Sequence, residues 1–119
     1  MQDLIKATKA LSDETRLRLL NLVLTRECCV CEVMQALNIS QTRASRNLKA
    51  LHEAGFLKLE KNGLWSLYSI DEEGMRAHYP HLLRTVKRAL QNNATAAADR
   101  ARLKKAERLG PGCAVQPRN

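Results

Sequence analysis

The feature that most constrains this chain is a change of apolar period at Gly55. Upstream, Ala44, Leu48 and Leu51 recur at i, i+4 and i+7, which is one face of an α-helix. Downstream, Phe56-Leu57-Lys58-Leu59-Glu60-Lys61 takes on the alternation of a strand. Asn62-Gly63 is a hairpin turn signal, and Leu64-Trp65-Ser66-Leu67-Tyr68-Ser69-Ile70 reads as the return strand. Before the helix, Val33, Met34 and Leu37 mark a shorter one; Asn38 suits a left-handed stop and Ser40 an N-cap. Two helices joined by Asn38-Ile39-Ser40 and followed at once by a β-ribbon form a helix-turn-helix with a wing.

The flanking segments are helical. Leu4, Ile5 and Leu11 lie on an amphipathic stretch over about 2–11, and Ser12-Asp13-Glu14 opens a second helix over about 13–24 with Leu17, Leu20, Val23 and Leu24 inward. After the wing, Asp71-Glu72-Glu73 caps a stripe of Met75, Tyr79, Leu82, Leu83, Val86 and Leu90. Pro80 interrupts it, as either the start of a helix or a kink. Ala94 to Leu109 has good helix propensity but little apolar face. The expected fold is mainly α with a β-hairpin wing, a winged helix-turn-helix of about five helices and two strands. Residues 1–92 form its body, 93–109 a basic helical extension and 110–119 a flexible tail.

Composition excludes several classes. A chain of 119 residues with 45% hydrophobic and 27% charged residues fits one folded domain and argues against wholesale disorder. Aromatics at 3% are too few for a base-stacking platform. No apolar run reaches the roughly 18 residues of a membrane span, and Met1-Gln2-Asp3-Leu4-Ile5-Lys6 opens no signal peptide, so the expectation is a cytoplasmic protein with no membrane partner. No Ser/His/Asp arrangement, Gly-rich phosphate loop or carboxylate pair stands out, and Cys28-x-x-Cys31 has redox spacing without a βαβ context, so the chain does not read as an enzyme. The net charge of +8 points to an anionic partner, yet residues 1–75 are balanced and the excess falls entirely in 76–119. Local arrangement must therefore locate a nucleic-acid surface.

That arrangement is found on the helix after Ser40. Opposite its apolar stripe lie Thr42, Arg46 and Lys49, flanked by Arg43 and Ser45: three cations, no acid, and the hydroxyls and amide of Ser40, Thr42, Ser45 and Gln41. These groups suit phosphates and base edges in a major groove of double-stranded DNA. On the wing, Lys58, Lys61 and Asn62 are placed to reach an adjacent groove or backbone.

Three of the four cysteines, Cys28, Cys29 and Cys31, fall within four positions; Cys113 is remote. In a reducing compartment this density suits a local metal or metalloid site better than a structural disulfide. On a regular helix Cys29 and Cys31 would point about 160° apart and Cys28 and Cys31 about 60° apart, so gathering all three needs an irregular first turn. A helix N-terminus and Arg26 are expected to acidify the thiols.

With these residues in hand, the chain resembles the ArsR/SmtB metalloregulatory repressors over about residues 4–90. Ser40-Gln41-Thr42-Arg43-Ala44-Ser45-Arg46-Asn47-Leu48-Lys49-x-Leu51-x-x-Ala54-Gly55-Phe56-Leu57 is similar to the family's recognition signature, with Asn47 where many members carry His. Gly63-x-Trp65-x-x-Tyr68-x-Ile70 resembles its wing strand, and Leu11-Ser12-Asp13-x-Thr15-Arg16-Leu17-x-Leu19-Leu20 its second-helix opening. Glu27-Cys28-Cys29-Val30-Cys31-Glu32-Val33 resembles the Cys-Val-Cys sensor of the arsenic-responsive branch. Cys29 and Cys31 are then the matched pair, and Met34 stands where a third cysteine is usual. The third sulfur then comes from Cys28 or from Cys113. The resemblance implies a homodimer through first and last helices, on a palindromic operator of an arsenic-resistance operon, released when As(III) or Sb(III) binds as inducer; no obligatory cofactor is implied. Three soft thiolates match the pyramidal three-sulfur preference of these ions, whereas zinc would need a fourth donor. A thiol-based redox regulator of the same fold is the alternative.

Overall fold

The computed structural model describes residues 1–109; the tail expected over 110–119, and with it Cys113, lies outside the described residues. The order is α1 (Gln2–Leu11), α2 (Glu14–Thr25), β1 (Cys28–Cys29), α3 (Val30–Leu37), α4 (Gln41–Glu53), β2 (Leu57–Asn62), β3 (Trp65–Ile70), α5 (Glu72–His78), α6 (Leu82–Leu90) and α7 (Ala94–Lys105). This is a winged helix-turn-helix, with seven helices among the described residues rather than about five, and three strands rather than two.

Local chemistry sets the helix ends. The Asp13 carboxylate accepts the Arg16 amide at 3.0 Å, and Ser40 Oγ accepts the Arg43 amide at 3.1 Å. Asn38 takes the left-handed conformation at φ 55°, which its short polar side chain tolerates. At the end of α4 the Gly55 amide donates to the His52 carbonyl and the Phe56 amide to the Leu51 carbonyl, with Gly55 at φ 92°. That is a Schellman stop, and it turns Phe56 into the core, where it is fully buried.

Pro80 ends one helix and precedes another. Tyr79 is non-helical at φ −140°, ψ 68°, as expected before a proline, and α6 begins two residues after Pro80. The stripe over 75–90 is therefore split between α5 and α6.

α2 lies at the centre, touching α1, α3, α4, α6, α7 and β3. Leu19, Leu20, Asn21, Leu22 and Val23 are all buried, while Leu17 and Leu24 are only partly so. The single apolar stripe expected there is replaced by burial all round, as a surrounded helix requires. Buried Asn21 is satisfied on both sides: its amide donates to the Ala96 carbonyl at 3.2 Å and accepts from Arg100 at 2.8 Å.

α7, poor in apolar residues, docks by charge. Fully buried Asp99 receives Arg18 of α2 through two hydrogen bonds of 2.8 and 2.9 Å, and Arg102 pairs with the same carboxylate. Arg102 also donates to the Ala36 carbonyl at the end of α3, and Leu103 is buried beside it.

The sheet order is β1-β3-β2, antiparallel throughout. β2 and β3 pair from Leu57–Ile70 to Asn62–Trp65. The connecting residues are Gly63 and Leu64, with Gly63 at φ 64°, so Asn62 is the last ladder residue and the turn sits one position later than Asn62-Gly63. No helix among the described residues is long and apolar enough to cross a membrane.

Candidate functional site

Two regions carry the side chains that the sequence singles out. The first is the outer face of α4. Ala44, Leu48 and Leu51 are fully buried against α2 and α3, which fixes the rotation of the helix and turns Thr42, Arg43, Arg46 and Lys49 to solvent. Ser40, Gln41 and Ser45 lie half-buried at its edge. No acidic residue occupies the first turn of α4, and none of Arg43, Arg46 and Lys49 forms an ion pair among the described residues. Arg43 is oriented by a 3.1 Å hydrogen bond to Thr15 Oγ1 of α2, and Asn47 folds back onto the Arg43 carbonyl at 2.9 Å. Lys61 and Asn62 are exposed at the wing tip, where Lys61 Nζ donates to Ser66 Oγ at 3.0 Å; Lys58 pairs loosely with Glu60 at 3.7 Å. The α4 face is thus exposed and, among the described residues, uncompensated in charge.

The second region is the cysteine segment, and here the structure departs from a helical reading. Cys28 and Cys29 form β1 and pair with Tyr68 and Leu67 of the wing strand β3. Cys29 is the extended N-cap of α3, at φ −96° and ψ 170°, and Cys31 sits in the first helical turn. The start of α3 is therefore irregular, a strand-to-helix junction, but Cys28 and Cys29 as adjacent strand residues point to opposite faces. All three residues are at most 1% exposed. Cys28 and Cys29 are free thiols, while Cys31 is disulfide-bonded. Among the described residues no group of three His, Cys, Asp or Glu side chains is arranged to hold a metal ion. His78 and His81 are exposed.

The thiols are not acidified. Burial, seconded by the Glu32 carboxylate, pushes the Cys28 thiol up to about 12 against the opposing pull of Arg26 and Arg108. Burial also raises Cys29, although its surroundings include hydrogen bonds that favour the thiolate. The helix terminus and Arg26 expected to lower these values are outweighed because the sulfurs are enclosed and the Glu32 carboxylate acts on Cys28 more strongly than Arg26 does.

That carboxylate is the residue sequence reading missed. Glu32, 4% exposed, accepts the Cys29 amide at 2.9 Å, Arg26 at 2.8 Å and Arg108 at 3.2 Å. Burial favours its neutral form, but the Cys29 amide, Arg26 and Arg108 prevail and hold it below the usual carboxylate range. Cys29-x-x-Glu32 has the spacing of a capping box with cysteine in the serine position, a signal that was available. Arg108, 76 residues away, carried no such signal.

Comparison with known proteins agrees with this geometry. The family described as bacterial regulatory protein, arsR family, matches residues 13–58, from the cap of α2 into β2. The arsenic resistance transcriptional regulator ArsR2 of Pseudomonas putida is 46% identical over 66 residues, 55% of this chain and 57% of that protein. The chain spans only about half the length of the Pseudomonas putida relatives it matches. The arsenical resistance operon repressor of Staphylococcus xylosus is 31% identical over 72 residues, 60% of this chain and 69% of that protein. Among solved structures, the homodimeric winged helix-turn-helix DNA-binding domain of a possible ArsR-family transcriptional regulator from Mycobacterium bovis superposes with a TM-score of 0.65 at 26% identity, covering 78% of this chain and 82% of that one. The chain belongs to the arsR family of bacterial regulatory proteins.

Proposed function

We propose that this chain is a cytoplasmic, homodimeric repressor that binds operator DNA of an arsenic-resistance operon and leaves it when As(III) or Sb(III) binds Cys28, Cys29 and Cys31. The observation that carries the DNA half is the exposed face of α4, with Arg43, Arg46 and Lys49 free of carboxylate partners among the described residues. Ser40, Gln41, Thr42 and Ser45 add the neutral donors and acceptors that base edges and phosphates need, and Lys61 and Asn62 extend the contact at the wing. Exposed Leu4 and Ile5 on α1, at 52% and 38%, supply apolar surface for a second copy. The relatives named for arsenic resistance support the choice of inducer.

The sensing half rests on the sulfur set and its position. Each thiol displaces one hydroxide from As(OH)₃, and the thiol proton leaves with that hydroxide as water. Three As–S bonds release three waters, and no electron changes hands. Cys31 must first be present as a thiol, supplied by a cellular thiol reductant. Closing three sulfurs on one ion draws the β1–α3 junction inward. α3 packs on α4 across the left-handed Asn38 turn, so that movement alters how the reading helix is presented. A coupling of about 1–3 kcal/mol, the usual range, gives roughly 5–150-fold weaker operator binding.

A gel shift on the chain's own promoter DNA under phosphine reductant, with and without arsenite, tests this. Release by arsenite is the expected result, with Cys29→Ser and Cys31→Ser still binding DNA but no longer released. Retention at saturating arsenite overturns the proposal. The Cys31 disulfide favours the second reading, a thiol-redox regulator; release by peroxide and not by arsenite would establish it instead.

A further inference from the structure

The chain does not end its course at α7. Past Lys105 it becomes extended, with Ala106 at φ −72° and ψ 146°, and runs back across the start of α3. Glu107 and Gln35 bond reciprocally: the Glu107 amide donates to Gln35 Oε1 at 3.0 Å, and Gln35 Nε2 donates to the Glu107 carbonyl at 2.7 Å. Arg108 reaches Glu32 at 3.2 Å. The Leu109 carbonyl accepts Trp65 Nε1 of β3 at 3.1 Å and lies 3.8 Å from the Cys31 sulfur. Four consecutive residues thus cross the cysteine segment and fasten at once to α3 and to the wing.

We infer that Ala106–Leu109 is the gate of the sulfur site: it must lift before a thiol-seeking ion reaches the buried sulfurs, and the same latch passes the event to α3 and β3. Closed, the strap lies over sulfurs that are at most 1% exposed. Its own hold is mixed: Ala106 and Leu109 pack against the core, and the remaining contacts are polar. Glu107 is exposed, Ala106, Arg108 and Leu109 are only partly buried, and the pair with Gln35 lies at the surface, whereas Arg108 reaches in to buried Glu32. A short segment held by a few hydrogen bonds and two partly buried apolar residues opens locally, at a fraction of the cost of unfolding the domain. The fastening residues are not sulfur ligands: Gln35 and Arg108 act on access, and Glu32 acts by joining the strap to the Cys29 cap. The inference rests on the proposed sensing role for its ligand, a trivalent thiophile, but not for its geometry.

The test uses the full chain, reduced with a phosphine and desalted, with a disulfide dye (DTNB) as probe and no metalloid present. The double variant Gln35→Ala with Arg108→Ala is expected to react at its buried thiols about tenfold faster than the parent, because two latching contacts are lost. An unchanged rate overturns the gate. As a measurement free of mutation, amide exchange in the parent chain should release Glu107 well before Leu48. Exchange of both at one common rate would show that the strap opens only with the whole fold, and also overturns the gate. Accelerated dye reaction in a protein that arsenite never removes from its promoter keeps the gate and overturns the sensing role. The reverse pattern, arsenite release with thiol rates unmoved by the double variant, keeps the sensing role and overturns the gate.

Discussion

The outer face of α4 and the segment Cys28–Cys31 are joined through one short helix, and their physics is opposite. On α4 the charged groups are exposed and, among the described residues, form no ion pair. In the cysteine segment the reactive atoms are enclosed, with the Cys28 thiol pushed up to about 12 and a carboxylate clamped between two arginines beside them. One region is open and the other closed. For the proposed repressor this asymmetry means DNA bound by default and a release signal that must first open the closed region.

The comparison breaks most severely where the two regions share a core. Leu48→Ala removes a fully buried side chain behind the reading face and next to α3, and should cost about 2–5 kcal/mol in a urea titration. DNA binding and thiol protection should then fail together at the same denaturant concentration; separate midpoints would show two independent units. Glu32→Ala strikes the closed region alone. It removes the Cys29 cap and the anchor of Arg26 and Arg108, for a stability loss of about 1–3 kcal/mol. Operator affinity at saturating protein should change far less than the thiol reaction rate, and a larger loss of operator affinity would place Glu32 in the DNA interface.

Arg46→Ala strikes the open region alone. Thermal stability should stay within about 0.5 kcal/mol of the parent, since the side chain is exposed and unpaired. Operator binding should weaken by about 1–3 kcal/mol if the residue reads a base. A fall in melting temperature without a change in binding would remove it from the site. The smallest effect belongs to Lys49→Gln. A lost phosphate contact lowers the slope of log affinity against log salt by about 0.9 and leaves preference among sequences unchanged; an unaltered slope takes Lys49 off the backbone.

The open region was legible because each of its determinants is local. Asn38, Ser40 and Gly55 act through their own backbone and nearest neighbours, and the i, i+4, i+7 stripe of Ala44, Leu48 and Leu51 declares which side faces water. The closed region was legible only as a list of sulfurs. The pairing of Cys28 and Cys29 with Tyr68 and Leu67 bridges about forty residues and involves only two positions, too few to show alternation. Pro80 marked the break between α5 and α6 but left a helix start and a kink both open, and the all-round burial of α2 was hidden because a stripe shows apolar residues but not how many neighbours will cover them.

What the sequence determined by itself was the helix-turn-helix and its wing, the ends of α4, and the cationic side of that helix, because capping, φ preference and period are properties of adjacent residues. What tertiary structure decided was the state of the thiols. Whether a sulfur ionises depends on the low-dielectric enclosure and the charges packed around it. Arg108, the Leu109 carbonyl and β3 come to Cys28, Cys29 and Cys31 from forty to eighty residues away. No spacing within the cysteine segment encodes their arrival.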